Sequence, residues 1–133
     1  MSLKLTILSP ERRLLENVSA ESVTLFGSEG QIQIMPGHAP FIGVLETGTF
    51  SYRPAGGQDI VGAISHGFFE VKDDKVVVTA ETLELKAEID VNRAKKAQKL
   101  AEDALKAADL DEKKFKKYQL KLQRSLIRQH LGE

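Results

Sequence analysis

Apolar residues recur at every second position through the first two thirds of this chain, and at every third or fourth position through the last third. "LKLTIL" sets Leu3, Leu5 and Ile7 against Lys4 and Thr6, and Pro10 follows. "QIQIM" likewise sets Ile32 and Ile34 against Gln31 and Gln33. Alternation of this kind predicts strands with one wet face, because successive side chains of a strand point to opposite sides. Further strands are expected at Val23–Phe26, Phe41–Leu45, Thr49–Tyr52, Ile60–Ile64, Phe68–Val71 and Lys75–Ala80. Between them lie the turn-forming stretches "GSEG" (27–30), Pro36-Gly37, "PAGG" (54–57) and Asp73-Asp74. Short strands at this spacing predict a small antiparallel sandwich or barrel.

The period changes at "EIDVNRAKKA", residues 88–97. Ala94, Ala97, Ala101, Ala104 and Ala108 form a stripe of small residues, which favours a helix and lets a second helix approach closely. Asp90 is expected to cap its start. "ADLDEKK" then interrupts the pattern, and Asp109 with Glu112 three residues later reads as a capping box opening a second helix. Phe115, Tyr118 and Leu122 supply an apolar ridge on that helix, extended by Leu126 or Ile127. Two helices joined by a few residues predict an antiparallel hairpin. With β-period and helix-period regions segregated, the fold class is α+β: a β-sandwich in residues 1–86 and a helical hairpin in residues 87–133.

Composition narrows the class of function. Of 133 residues, 41% are apolar and 29% charged, as in a soluble globular protein. No apolar run approaches a membrane span and no charged-then-apolar leader opens the chain, so a soluble, unexported protein is expected. Cysteine is absent, which excludes disulfides, thiolate metal sites and cysteine nucleophiles. A net charge of zero argues against a general nucleic-acid binder. That zero is divided, however: residues 1–89 hold 7 Lys and Arg against 12 Asp and Glu, and residues 90–133 hold 12 against 7. The basic tail is either a solvated helical face or a surface that meets an acidic partner.

Candidate chemistry is sparse. His38, His66 and His130 lack partners at metal-ligand spacing, so no metal site is expected. No nucleophile elbow, phosphate-binding loop or dinucleotide fingerprint occurs, and no catalytic residue is assigned. In "MPGHAPF", Pro36 and Pro40 stiffen the backbone on either side of Gly37 and His38. That loop either presents His38, with Met35 and Phe41, to another protein, or is a structural corner whose His38 caps its own backbone. Arg124 and Arg128 share a face of the second helix. In a folded hairpin, Arg93, Arg124 and Arg128 would meet near Glu84 and Asp90 and form an anion pocket at a helix start.

At these residues the chain resembles the epsilon subunits of bacterial rotary F-type ATP synthases, along essentially its whole length. "GSEGQIQIMPGHAPFIGVL" is similar to the family's glycine-rich turn, strand and Pro-Gly-His-x-Pro loop. "ISHGFFEVKDDKVVVTAE" is similar to its Gly-Gly-Phe-x-Glu-Val segment, with His66 where glycine is usual. The resemblance implies a sandwich of about ten strands followed by a helical hairpin, in a subunit that is not itself catalytic and requires no cofactor. It implies binding to the gamma subunit and the c-ring, with Met35, His38 and Phe41 as the c-ring contact. Proton flow is thereby coupled to rotation. It also implies a hairpin that either lies folded on the sandwich or extends along gamma, inhibiting ATP hydrolysis and meeting acidic segments of the alpha and beta subunits. The location implied is peripheral, on the cytoplasmic face of the bacterial plasma membrane, with membrane attachment only through the complex.

"IDVNRA" is similar to the motif by which some members bind ATP as a regulatory ligand. The match places Ile89, Asp90, Arg93 and Ala94 at the motif positions, with Arg124 and Arg128 as the paired arginines and Glu84 as the preceding glutamate. The loop between the helices is slightly longer than the family's. Two alternatives of other classes are a free-standing nucleotide-binding adaptor and an enzyme using His38 with nearby carboxylates.

Overall fold

In the computed structural model, which describes residues 2–106 and 111–132, Leu3, Leu5 and Ile7 are fully buried while Lys4 is exposed. The alternation that predicted the first strand, β1 (Leu3–Leu8), is thus the alternation between core and solvent. The next strand is longer than its sequence signal. β2 runs from Arg13 to Gly27, ten residues earlier than the expected Val23. Its first half pairs with β1 and its second half with β3 (Gly30–Ile34) and β5 (Gly48–Pro54). Asn17 at φ 51° and a register shift between Ala20 and Ser22 mark where β2 twists and passes between two layers.

Five strands follow the predicted runs or extend them, β4 (Phe41–Leu45), β5, β6 (Ile60–Ile64), β7 (Gly67–Lys72) and β8 (Lys75–Ala80), and β9 (Leu83–Leu85) comes after them. The three-residue β9 was not expected. One layer is β4-β7-β8-β1 and the other is β3-β2-β5-β6-β9, with β2 joining them. All pairings are antiparallel except β1 with β8, which is parallel. A parallel pair needs a long connection, and the chain from Ser9 to Asp74 supplies it. Nine strands lie among the described residues, in keeping with the expected sandwich of about ten.

Between the layers lie Leu3, Leu5, Ile7, Val23, Leu25, Ile34, Leu45, Phe50, Ile64, Phe69, Val71, Val76 and Val78, all essentially inaccessible. Fully burying a side chain of this size stabilises by roughly 1.5–3 kcal/mol against exposure, and this core is what holds the sandwich together. The chain divides into two compact units, Met1–Leu85 and Lys86–Glu133.

The second unit opens with a 3₁₀ turn, Lys86–Glu88, and continues as α1 (Val91–Leu105) and α2 (Glu112–Gly132). Ala94 and Ala101 of the predicted stripe are buried and Ala97 and Ala104 half-buried. Ala108, and Asp109 with its proposed capping box, lie outside the described residues. The start of α2 is capped by Asp111, whose Oδ1 accepts from Lys114 N at 2.7 Å. Gln129 Nε2 donates to Gln98 Oε1 at 2.6 Å, so α1 and α2 lie side by side. A parallel pair at that register would separate Leu105 from Glu112 by roughly 36 Å, beyond the reach of the six residues between them. The helices are therefore antiparallel.

The same register sets Leu105 level with Leu122, leaving the first turns of α2 beyond the end of α1. Residues 112–117 are accordingly exposed, including Phe115. The predicted ridge keeps the half-buried Tyr118, Leu122 and Ile127, without Phe115 or Leu126, and is joined by the fully buried Ser125, whose hydroxyl donates to Leu122 O at 2.8 Å. No described helix is long and apolar enough to cross a membrane.

Candidate functional site

Asp90 precedes α1 in an extended conformation (φ −99°, ψ 105°) and its Oδ1 accepts from Arg93 N at 3.2 Å. Its own carbonyl accepts from Ala94 N at 3.0 Å. The expected cap is present, and it has a consequence for anion binding. The Asp90 carboxylate itself occupies the electropositive helix start, so a phosphate would be held by the arginine side chains and not by the helix amides. Asp90→Ala should cost about 1 kcal/mol of local helix stability. Hydrogen exchange at the Arg93 amide, which loses its acceptor directly, would report it.

Arg93 is exposed in the first turn of α1, whereas Arg124 and Arg128 are half-buried on α2. Counting from the Gln98–Gln129 pair, Arg128 stands level with Lys99 and Arg124 with Asp103. At 1.5 Å per residue, they are offset from Arg93 by roughly 9 Å and 15 Å along the helices. Their backbone positions are therefore staggered in a row along the two helices. Ile89 is half-buried and its N–H closes the 3₁₀ turn on Lys86 O at 3.2 Å. Glu84 belongs to the other unit, in β9 opposite Ala63.

The second candidate lies wholly within the sandwich unit. Between β3 and β4 the chain turns through Gly37, at φ 87°, with His38 N donating to Met35 O at 3.1 Å. Only glycine adopts that φ readily. His38 Nδ1 donates to Ala39 O at 2.7 Å, and its ring meets Phe41 edge-on at 6.4 Å. Phe41 in turn stacks on the core residue Phe69 at 5.7 Å. His38 therefore does bond its own backbone, as the structural-corner reading requires. The same bonds also hold Met35 (54% exposed), His38 and Phe41 (46% exposed) together at the surface.

A third feature was not singled out in the sequence. On the outward face of the β4-β7-β8 layer, Val44 pairs with Phe68, while Glu70 stands opposite both Ile42 and Val77. Ile42 is 75% exposed, Phe68 60%, Val44 56% and Val77 39%. Neighbours in one row share a face, so these four side chains form an apolar patch around the exposed Glu70, which separates Val77 from Ile42. Isolated exposed apolar residues are ordinary, but a patch on one sheet face marks a docking surface. The available signal was "FIGVL" and "KVVV", runs too apolar for strands with one wet face. Among the described residues no group of three or more His, Asp or Glu is placed to hold a metal ion.

A β-sandwich unit with an apolar patch on one outer face, followed by a separate unit of two antiparallel helices, defines the class as a two-module α+β protein. Two family models cover the chain: the beta-sandwich domain of the ATP synthase delta/epsilon chain over residues 2–86, and its long alpha-helix domain over residues 87–130. The ATP synthase epsilon chain of Trichlorobacter lovleyi is 42% identical over 98% of this chain and 93% of its own length. That of Geobacter metallireducens is 40% identical over the same shares. The chain belongs to the ATP synthase delta/epsilon chain family. Its fold is also similar to a chain of the Euglena gracilis mitochondrial ATP synthase, with a TM-score of 0.80 at 22% identity, covering 94% of this chain and 78% of that one. A chain of the Tetrahymena thermophila central stalk and c-ring matches with a TM-score of 0.64 at 17% identity, covering 96% and 97%.

Proposed function

We propose that this chain is a non-catalytic central-stalk subunit of an F-type ATP synthase, coupling ion flow to ATP synthesis and restraining ATP hydrolysis through its helices. The observation that carries the reading is identity of about two residues in five to epsilon chains along nearly the whole length. The sandwich supplies a surface for each rotor partner: the Ile42-Val44-Phe68-Val77 face for gamma and the Met35-His38-Phe41 loop for the c-ring. Membrane association, on the cytoplasmic face, follows only through that assembly. The basic second helix is suited to acidic segments of the alpha and beta subunits when the hairpin opens.

ATP is the regulatory ligand in this reading. Its triphosphate would lie along the row from Arg93 to Arg128, with Arg124 beyond, while the buried Ala94 permits close approach and Asp90 fixes the start of α1. Ile89, in the same unit, would complete the site around the nucleoside. Such a row exists only while α1 and α2 lie side by side, so ATP binds the closed hairpin in preference to the open one. At a hundred times its dissociation constant, it would favour the closed form by about 2.7 kcal/mol. Low ATP would release the helices to inhibit hydrolysis.

Calorimetric titration of the full-length chain with ATP tests this part. Saturable binding is expected, weakened about tenfold or more by Arg93→Ala and by Arg128→Ala, since each removes a charge-assisted contact to phosphate. Unchanged affinity in both variants would remove these arginines from the site. No binding at millimolar ATP would leave "IDVNRA" as a helix cap alone.

A further inference from the structure

We propose that Asp74 is the positioning residue of the 35–41 loop: its carboxylate sets the backbone conformation in which Met35, His38 and Phe41 are presented. Gly37 N–H donates to Asp74 Oδ1 at 2.8 Å, joining residues 37 apart in sequence. Asp74 sits in the turn between β7 and β8 at φ 60°. It is anchored there because its carbonyl accepts from Lys4 N, on β1, at 2.8 Å. The backbone of Asp74 is thus held from one side of the layer, and its side chain reaches the loop on the other.

The loop needs this tether. Pro36 and Pro40 restrict φ at their own positions, but neither restricts rotation at Gly37 between them. Glycine has the widest conformational freedom of any residue, and Gly37 has open space where a Cβ would be. The turn bond from His38 N to Met35 O constrains one side of it. A carboxylate on the Gly37 N–H constrains the other, with a charge-assisted bond stronger than its neutral equivalent. Positioning by Asp74 deepens the proposed role of the loop and rests on it for the identity of the partner, the c-ring. The tether itself does not depend on that reading.

Two substitutions in the full-length chain separate the side chain from the backbone. Asp74→Gly accepts positive φ and removes the acceptor, whereas Asp74→Asn tolerates the same φ and keeps a side-chain oxygen. Amide hydrogen exchange at Gly37 should quicken about tenfold in Asp74→Gly and return most of the way in Asp74→Asn. The Lys4 amide, held by the carbonyl of residue 74, should not change. In the assembled complex, cysteine placed by His38→Cys should cross-link to a c subunit. The yield should drop severalfold with Asp74→Gly and recover with Asp74→Asn.

Unaltered Gly37 exchange in Asp74→Gly would overturn the tether. Equal cross-linking in all three backgrounds, with Gly37 released, would overturn the positioning role. Absence of cross-linking even with Asp74 intact, while Gly37 still responds, would support the tether and remove the c-ring as the partner.

Discussion

Phe68→Glu and Ile42→Glu should each leave the sandwich folded and weaken its binding to the gamma subunit by about a hundredfold. Both side chains are largely in solvent already, so neither substitution opens a cavity. Exposed surface changes of this kind usually alter stability by less than about 0.5 kcal/mol. At an interface the same change is severe. The aromatic ring of Phe68 lies within the patch, beside Val44 on β4. Loss of such an anchor typically costs 2 kcal/mol or more, and a buried, unpaired carboxylate adds to it. Thermal unfolding of each variant should therefore match wild type while calorimetric titration with gamma falls away. Equal affinity in wild type and both variants would mean that this face is not the seat of gamma.

The second large effect lies inside the sandwich. Gly67 opens β7 between Leu45 of β4 and Ala80 of β8. A Cβ built there would stand inside contact distance of Thr79 O and 2.8 Å from Ala80 Cα. Both are backbone atoms, which no rotamer change can move aside. Gly67→Ala should force β7 and β8 apart and destabilise the protein by about 3 kcal/mol or more, as overpacking a well-packed site does. Urea unfolding would show a lowered midpoint at similar slope. His66, the preceding residue, meets no such obstacle. Its ring is half in solvent and Nε2 lies 2.8 Å from Glu81 Oε2. The two neighbouring positions differ because one faces the adjacent backbone and the other faces water.

Much of this architecture was legible in local pattern. Period-two alternation located β1 and β3, apolar runs between turn-forming stretches located β4 to β8, and the change of period with Asp90 located the start of α1. What was missed depended on residues far apart. The stretch "RLLENVSAES" at the start of β2 places Leu14 and Leu15 side by side and turns through positive φ at Asn17. It becomes a strand because β1 pairs with it, against its own weak pattern. β9 is three residues long and is held by β6.

Partner surfaces showed a similar division. The prolines around His38 were visible, but Asp74 as an acceptor for Gly37 depends on how the sheet brings two turns together. The patch of Ile42, Val44, Phe68 and Val77 appears only once the β4-β7-β8 register is known. On the helices, the two arginines of α2 were rightly placed on one face. Their offset from Arg93 followed only from the Gln98–Gln129 contact, since sequence spacing alone does not set the register between two helices.

Reconstitution tests the central claim most directly. Membranes carrying the organism's own ATP synthase, depleted of this chain, would be supplied with the purified full-length protein, and ATP synthesis driven by an ion gradient would be measured. Wild type should bind the depleted complex and restore synthesis, and Phe68→Glu should do neither at the same concentration. A wild-type chain that fails to bind or to restore synthesis, though folded, would contradict the assignment to the central stalk.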